Sequence, residues 1–159
     1  MERLKMTIVK HLKGSNLRLS RKKPFLFVIK SIMNFLPIIL FSSLYGTYLD
    51  LYFVGRGLYS FPARPWPEIF SIHIFFSLIG LPLLTVFFLI VCSKLKCWEK
   101  AIFILAFSLI MAVFEKQSEA FGLFMHHHSW KHLYSFIGYS IFFTTILSLN
   151  QFSKYIKKK

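Results

Sequence analysis

Two glutamates in an apolar segment are the residues whose chemistry most needs an explanation. Glu115 and Glu119 are four residues apart, so on a helix both project from one face, with a rise of about 6 Å between them. A charged side chain near the centre of a membrane-spanning helix costs roughly 2.5 to 3.5 kcal/mol on insertion scales. Continuing the helix by its period adds Gly122 and His126 to the same face. The pattern therefore predicts a carboxylate-rich stripe near one end of a spanning helix.

Further polar residues are predicted at the same level. The candidate polar site comprises Asp50, Arg56, Arg64, Glu68, His73, Glu115 and Glu119. The loop after the two glutamates adds four imidazoles, on His126, His127, His128 and His132. Carboxylates with imidazoles ligate zinc and other first-row metals, and they also form proton relays. The candidate metal ligands are Glu115, Glu119, His126, His127 and His128.

The spacing of these residues matches no established metal or catalytic motif. The sequence has no His-Glu-x-x-His, no Glu-x-x-His pair, no phosphate-binding glycine loop and no recognisable serine- or cysteine-centred set. Whether the chain is an enzyme is therefore left open, and a non-enzymatic role is preferred. No cofactor is expected other than a divalent metal at this site.

A structural interpretation of the same residues stays open beside the chemical one. The carboxylates would then pair with groups on neighbouring helices, namely Arg56, Arg64, Lys116 or His73. His73 lies in a predicted span, where a neutral imidazole needs a hydrogen-bond partner, and a glutamate is the nearest candidate. The three adjacent histidines would, in this interpretation, bind metal only adventitiously.

The composition indicates that lipid is the solvent around these residues. Of 159 residues, 55% are hydrophobic and 19% aromatic, with 20 phenylalanines, which is more apolar surface than a soluble domain of this size buries. The formal net charge of +14 would otherwise suggest nucleic acid binding. Because the basic residues lie at the termini and in short loops, we expect contacts with membrane lipids through anionic headgroups, and no nucleic acid partner.

Four apolar segments are long enough to cross a membrane as α-helices. A span needs about 20 mostly apolar residues, since the hydrocarbon core is roughly 30 Å thick. The predicted spans are residues 25–49, 69–91, 101–124 and 133–149. They predict an all-α membrane protein with four transmembrane helices in an antiparallel bundle over residues 25–152. Pro37 and Pro82 are expected to kink the first two helices.

The distribution of Lys and Arg predicts the orientation of the chain. Sixteen of them lie in the N-terminal flank, the middle loop and the C-terminal tail, against three in the two opposite loops. Basic residues are retained on the cytoplasmic side, so both termini are predicted to be cytoplasmic in the plasma membrane. Residues 1–24 are predicted to be a basic cytoplasmic segment, and residues 153–159 a basic cytoplasmic tail. For the first segment two alternatives stay open, an interfacial amphipathic helix and a solvated tail.

Several short motifs together carry a resemblance. They are Asp50-Leu-Tyr-Phe with Gly57-Leu-Tyr59, the Pro-x-Glu-Ile opening of the second span, Trp98-Glu-Lys before the third, the acidic outer half of the third, and Trp130-Lys-His-Leu-Tyr134-Ser135 opening the fourth. Over residues from about 45 to 140 the chain resembles a family of small four-span membrane proteins of spore-forming bacteria that has no assigned biochemical function. The resemblance implies a bacterial plasma membrane and supplies no catalytic assignment.

Three functions are compatible with these observations. The preferred one is a non-enzymatic bundle that acts through a membrane protein partner or through membrane organisation, alone or as a homo-oligomer. The second is an outer-leaflet site of glutamates and histidines for metal binding or for proton-linked transport or hydrolysis. The third is a small pore-forming lysis protein, which fits the size and the basic tail.

Overall fold

The computed structural model describes residues 24–128 and 130–157. The chain forms two units, Met1–Lys30 and Ser31–Lys159. In the first unit the described residues form the start of a helix, and the side-chain contacts given below belong to the second unit. The predicted interfacial helix of the basic N-terminal segment lies outside the described residues.

Four α-helices and one two-stranded ribbon make up the described chain. The helices are α1 (Pro24–Gly55), α2 (Leu81–Cys92), α3 (Cys97–Ala120) and α4 (His132–Ile156), and a π-helical turn, Phe76–Gly80, leads directly into α2. Strands β1 (Tyr59–Ser60) and β2 (Met125–His126) pair antiparallel. Three segments, Ile32–Gly55, Cys97–Ala120 and His132–Ile156, are long and apolar enough to cross a membrane, whereas the apolar segment Phe76–Cys92 is shorter.

The helix boundaries differ from the predicted spans. The predicted second span began at residue 69, but the turn that leads into α2 begins at Phe76. Before it the chain turns, and the Arg64 guanidinium donates to the carbonyls of Phe61, Pro67 and Phe70 at 2.8, 3.2 and 2.6 Å. Carbonyls that accept from a side chain do not need a helical partner, so this segment is stable without helix.

The π-helical turn is held against α1. The N–H of Leu81 bonds to the carbonyl of Phe76, five residues back, and Pro82 has no N–H to give. The carbonyl of Ser77 therefore accepts from the Ser43 hydroxyl of α1, at 2.7 Å. Helix α1 itself continues through Pro37.

Aromatic packing fills the space between the helices. Phe88 of α2 and Phe143 of α4 have ring centroids 4.7 Å apart, and Phe107 of α3 lies 4.9 Å from Phe143. Large apolar side chains such as Leu44 and Leu83 are in contrast exposed. An apolar exterior around an aromatic core is the arrangement expected when lipid surrounds the helices.

Helices α1 and α3 end with the same device. Gly57 and Gly122 have φ of 67° and 70°, a region that glycine adopts without steric cost. In each case the glycine N–H bonds to the carbonyl three residues back, and the next N–H bonds five residues back. This Schellman pattern stops each helix and reverses the chain. Each cap leads into one strand of the ribbon, and we call this end of the molecule the strand end.

Candidate functional site

Glu115 is a largely buried carboxylate between α3 and α4. Ser135 and Tyr139, four residues apart on one face of α4, both donate to it, and the Tyr139 hydroxyl lies 2.7 Å from Oε2. Trp130 extends the chain of donors, because its indole N–H donates to the Ser135 hydroxyl at 2.9 Å. The carboxylate therefore has neutral donors on both oxygens.

Asp50 is held in the same manner from α1. The Tyr59 hydroxyl of β1 donates to Oδ1 at 2.7 Å, and the Ser77 hydroxyl of the π-helical turn donates to Oδ2 at 3.3 Å. Burial raises the pKa of the Tyr59 phenol far above its ordinary value, and the neighbouring Asp50 carboxylate raises it further. Tyr59 consequently stays protonated and remains a hydrogen-bond donor.

These contacts define a carboxylate network, which consists of Asp50, Tyr59, Ser77, Glu115, Ser135 and Tyr139. Asp50 and Glu115 both line two cavities, of about 150 and 260 Å³, whose other walls are mainly aromatic and aliphatic. In the described part of the chain, neither cavity is lined by Lys or Arg. The network is thus acidic, and its hydrogen bonds come from hydroxyl groups.

His126 lies beside the network at the strand end. Its ring stacks on Trp130, with centroids 5.2 Å apart, and meets the Phe124 ring edge-on at 4.6 Å. The side chain is only 5% exposed. Strand pairing fixes this placement, because His126 is directly opposite Tyr59 in the ribbon.

The two ring nitrogens of His126 face different carboxylates. Nε2 lies 2.9 Å from Oε1 of Glu115, and Nδ1 lies 3.3 Å from Oε2 of Glu119. The backbone N–H of His126 also donates to Glu119, at 3.1 Å. The Nε2 contact is short but poorly aligned, so this nitrogen is buried without a well-formed hydrogen bond among the described residues.

Three members of the predicted polar site lie away from the network. The Arg56 guanidinium lies 5.6 Å from the centroid of the Tyr52 ring, and Arg64 donates to backbone carbonyls as described above. Glu68 is exposed in a turn. The expected pairing of the glutamates with arginine therefore does not occur in residues 24–128 and 130–157, and His126 takes that place.

His73 also has a different partner from the expected one. Its Nδ1 accepts from the backbone N–H of Phe76 at 3.2 Å, and its ring meets the Phe61 ring edge-on. The expected hydrogen bond to a glutamate is not formed. His73 nevertheless lines the larger cavity together with Asp50 and Glu115.

The histidines of the loop divide into two groups. One ligand atom each from Glu119, His126 and His132 lies within 4.8 Å of the others, which makes these residues a possible metal-binding group. His127 and His128, both candidate ligands from the sequence, are exposed and do not belong to this group within the described residues. Glu115 lies on the opposite side of the His126 ring, where it contacts Nε2.

Several residues of the site were not predicted from the sequence. Tyr59, Ser77, Ser135 and Tyr139 supply the donors of the network. Serine and tyrosine are common in aromatic-rich membrane segments, so their presence alone carries little signal. The four-residue spacing of Ser135 and Tyr139, which repeats that of the two glutamates, is the one pattern that indicates a shared polar face.

The chain was compared with protein-family models, curated proteins and solved structures, and no match was found. Its function is therefore inferred from the chemistry of the strand end.

Proposed function

We propose that the chain is a multi-pass plasma-membrane protein with a non-enzymatic role, in which the carboxylate network holds the helices together. It acts through a membrane protein partner or through membrane organisation. The observation that carries this proposal is that hydroxyl donors on neighbouring elements satisfy both buried carboxylates. A network whose groups are all paired rigidifies a core, because each unpaired polar group would be costly in lipid.

Hydroxyl donors distinguish this network from a site that awaits a substrate. The Ser135 hydroxyl donates to the Glu115 carboxylate and accepts from the Trp130 indole, so its hydrogen-bond partners in the described chain include no imidazole. A nucleophilic serine would instead donate to an imidazole. The geometry favours a structural role for these side chains over acyl transfer.

The ribbon supports a four-crossing arrangement. Strand β1 follows α1 and strand β2 follows α3, and their pairing brings the ends of both helices to the strand end. The chain between them must leave the strand end and return, so Phe76–Cys92 and Cys97–Ala120 run in opposite directions. At the other end, the Lys154 ammonium of α4 lies 5.7 Å from the centroid of the Phe35 ring of α1.

The shorter helix is compatible with a crossing. A helix of 17 residues rises about 25 Å, which is somewhat less than the hydrocarbon thickness of roughly 30 Å. The turns before Phe76 occupy the remaining depth, and Arg64 satisfies carbonyls there. Non-helical backbone is tolerated at membrane depth when protein groups bury and satisfy it. Together with the basic flanks, an even number of crossings supports the proposal that both termini are cytoplasmic.

Replacement of one carboxylate tests the proposal. We expect Glu115→Gln to lower the free energy of unfolding by about 1 to 3 kcal/mol, because the amide replaces an acceptor oxygen with a donor that faces other donors. Thermal unfolding of the protein in lipid nanodiscs, with a chelator present, measures this. Glu68→Gln is the matched control, since Glu68 is exposed, and it should leave stability unchanged.

The sign of the stability change in Glu115→Gln distinguishes a structural role of the carboxylate from a role in an active site. Active-site groups are often kept at the expense of stability, so their neutralisation commonly leaves stability unchanged or raises it. An equal or higher melting temperature for Glu115→Gln would therefore overturn the structural role of the network.

A further inference from the structure

A second cluster of ligating groups lies outside the carboxylate network. Glu119 is in the last turn of α3, His126 is in β2, and His132 begins α4. The Schellman turn after α3 folds the chain back, so that ligand atoms of these three residues lie within 4.8 Å of one another. Residues from three consecutive elements therefore converge, and His132 is exposed to admit an ion.

The orientation of His126 is that of a metal ligand with an outer carboxylate partner. Histidines that bind a metal through one nitrogen usually donate the other N–H to a carboxylate or carbonyl, which fixes the ring and raises its basicity. Nδ1 of His126 faces Glu119, and Nε2 lies 2.9 Å from the buried Glu115 carboxylate. Ser135 and Tyr139 in turn fix Glu115.

The buried Nε2 atom faces Glu115, on the side of the His126 ring away from Glu119. It lacks a well-formed hydrogen bond, and the side chain is only 5% exposed, so water does not replace the missing partner. A buried polar atom of this kind is costly unless the ring turns to align it with an acceptor. A metal on Nδ1 would hold the imidazole as a neutral ligand with its proton on Nε2. After a small rotation of the ring, the Nε2–H group can then donate a hydrogen bond to the Glu115 carboxylate.

We propose that Glu119, His126 and His132 bind a divalent first-row metal ion, with zinc as the best match, and that Glu115 acts as a positioning residue for His126. Two imidazoles and one carboxylate are a common zinc ligand set with three protein ligands. Donor atoms on one tetrahedral zinc lie roughly 3.3 Å apart, so a modest movement of the exposed His132 side chain completes the site. The fourth position is left for water.

This assignment differs from binding by the histidine run itself. The His127 and His128 rings lie 6.1 Å apart, and both residues are exposed. Adjacent exposed histidines give weak adventitious binding. The proposed ligands are instead positioned by a helix end, a strand and a helix start, so their loss should be distinguishable from loss of the run.

Zinc binding to purified protein with a histidine-free tag tests the proposal. We expect one Zn²⁺ per chain by mass spectrometry after dialysis, and Co²⁺ substitution should give the intense visible absorption of a tetrahedral site. Glu119→Gln and His132→Ala should each abolish stoichiometric binding. The double variant His127→Ala/His128→Ala should retain it.

The positioning role of Glu115 has its own readout. Glu115→Gln should keep one metal per chain but weaken Zn²⁺ affinity by about 10- to 100-fold, as is typical for loss of an outer partner. His132→Ala changes an exposed side chain, so it tests the ligand set even if Glu115→Gln folds poorly.

Two outcomes would overturn the site. They are the absence of stoichiometric metal in the wild type, and metal that is lost with His127 and His128 but kept in His132→Ala. Neither outcome affects the stability test of the carboxylate network, which is made in chelator.

Discussion

Asp50 and Glu115 are carboxylates in a strongly basic chain, yet in the described structure neither uses a lysine or arginine side chain as its partner, and the ring beside Glu115 is that of His126. Hydroxyl donors cost less to bury than an ammonium or guanidinium group, because they carry no charge that must leave water. Most lysines and arginines lie instead at the termini and in loops, where we expect them to contact headgroups. At the scale of single residues, the network separates the acidic interior from the basic exterior.

Removal of one donor should show how much the network contributes. We expect Tyr59→Phe to destabilise the protein by about 1 to 3 kcal/mol, because Asp50 keeps only the longer bond from Ser77. Urea or thermal unfolding in nanodiscs measures the loss. Tyr48→Phe is the control, since Tyr48 is an exposed tyrosine of α1.

The pH dependence of this difference follows from the raised pKa of Tyr59. A phenol in the unfolded chain ionises near pH 10, whereas the folded Tyr59 stays protonated well above that value. The stabilisation is therefore fully present below pH 10 and is lost as pH rises above it. A difference between wild type and Tyr59→Phe that grows between pH 9 and 11 would contradict this assignment.

At the scale of elements, the helix ends decide which residues meet. The predicted third span continued to residue 124, and the period of that helix placed His126 on the glutamate face. The structure ends α3 at Ala120, and Gly122 reverses the chain, so His126 approaches the glutamates from a strand. His126 does lie close to both glutamates, but the prediction that it does so as part of the same helix was wrong. A glycine just after the last apolar turn was the available signal.

The long helices can be predicted from sequence patterns, whereas the start of the second helix and the ribbon cannot. Apolar length predicted the three long helices, because length and hydropathy are local properties. The late start of the second helix depends on Arg64 reaching three carbonyls, and the ribbon depends on pairing between residues 65 and 67 positions apart. Both are tertiary contacts, so they have no periodic signature in the sequence.

The glycine cap of α3 gives a matched pair of substitutions. We expect Gly122→Ala to destabilise the protein by about 1 to 2 kcal/mol, because alanine is strained at positive φ. Gly138→Ala should be neutral or slightly stabilising, since Gly138 is helical and a Cβ atom there meets no neighbour within 4 Å. Thermal unfolding of the two variants under one condition makes the comparison, and equal melting temperatures would argue against the cap.

For the whole molecule, the decisive question is how many times the chain crosses the membrane. Three helices are long enough on apolar length alone, and an odd number of crossings would put the termini on opposite sides. The ribbon and the contact of Lys154 with Phe35 favour an even number. The resemblance to small four-span proteins of spore-forming bacteria favours the same arrangement and stays a prediction, as does the alternative of a pore-forming lysis protein.

The native cysteines give a direct test of this arrangement. Cys97 is exposed and Cys92 is buried, so a membrane-impermeant maleimide should report on Cys97 alone. With cytoplasmic termini, Cys97 lies at the cytoplasmic end of α3, and it should react in inverted vesicles but not in right-side-out vesicles. A reporter in the opposite loop, Ala63→Cys made in a Cys97→Ser background, should show the reverse pattern, because Ala63 is exposed between α1 and the π-helical turn. Labelling of both positions from one side would mean that Phe76–Cys92 does not cross, and labelling of Cys97 only in right-side-out vesicles would invert the orientation derived from the basic flanks.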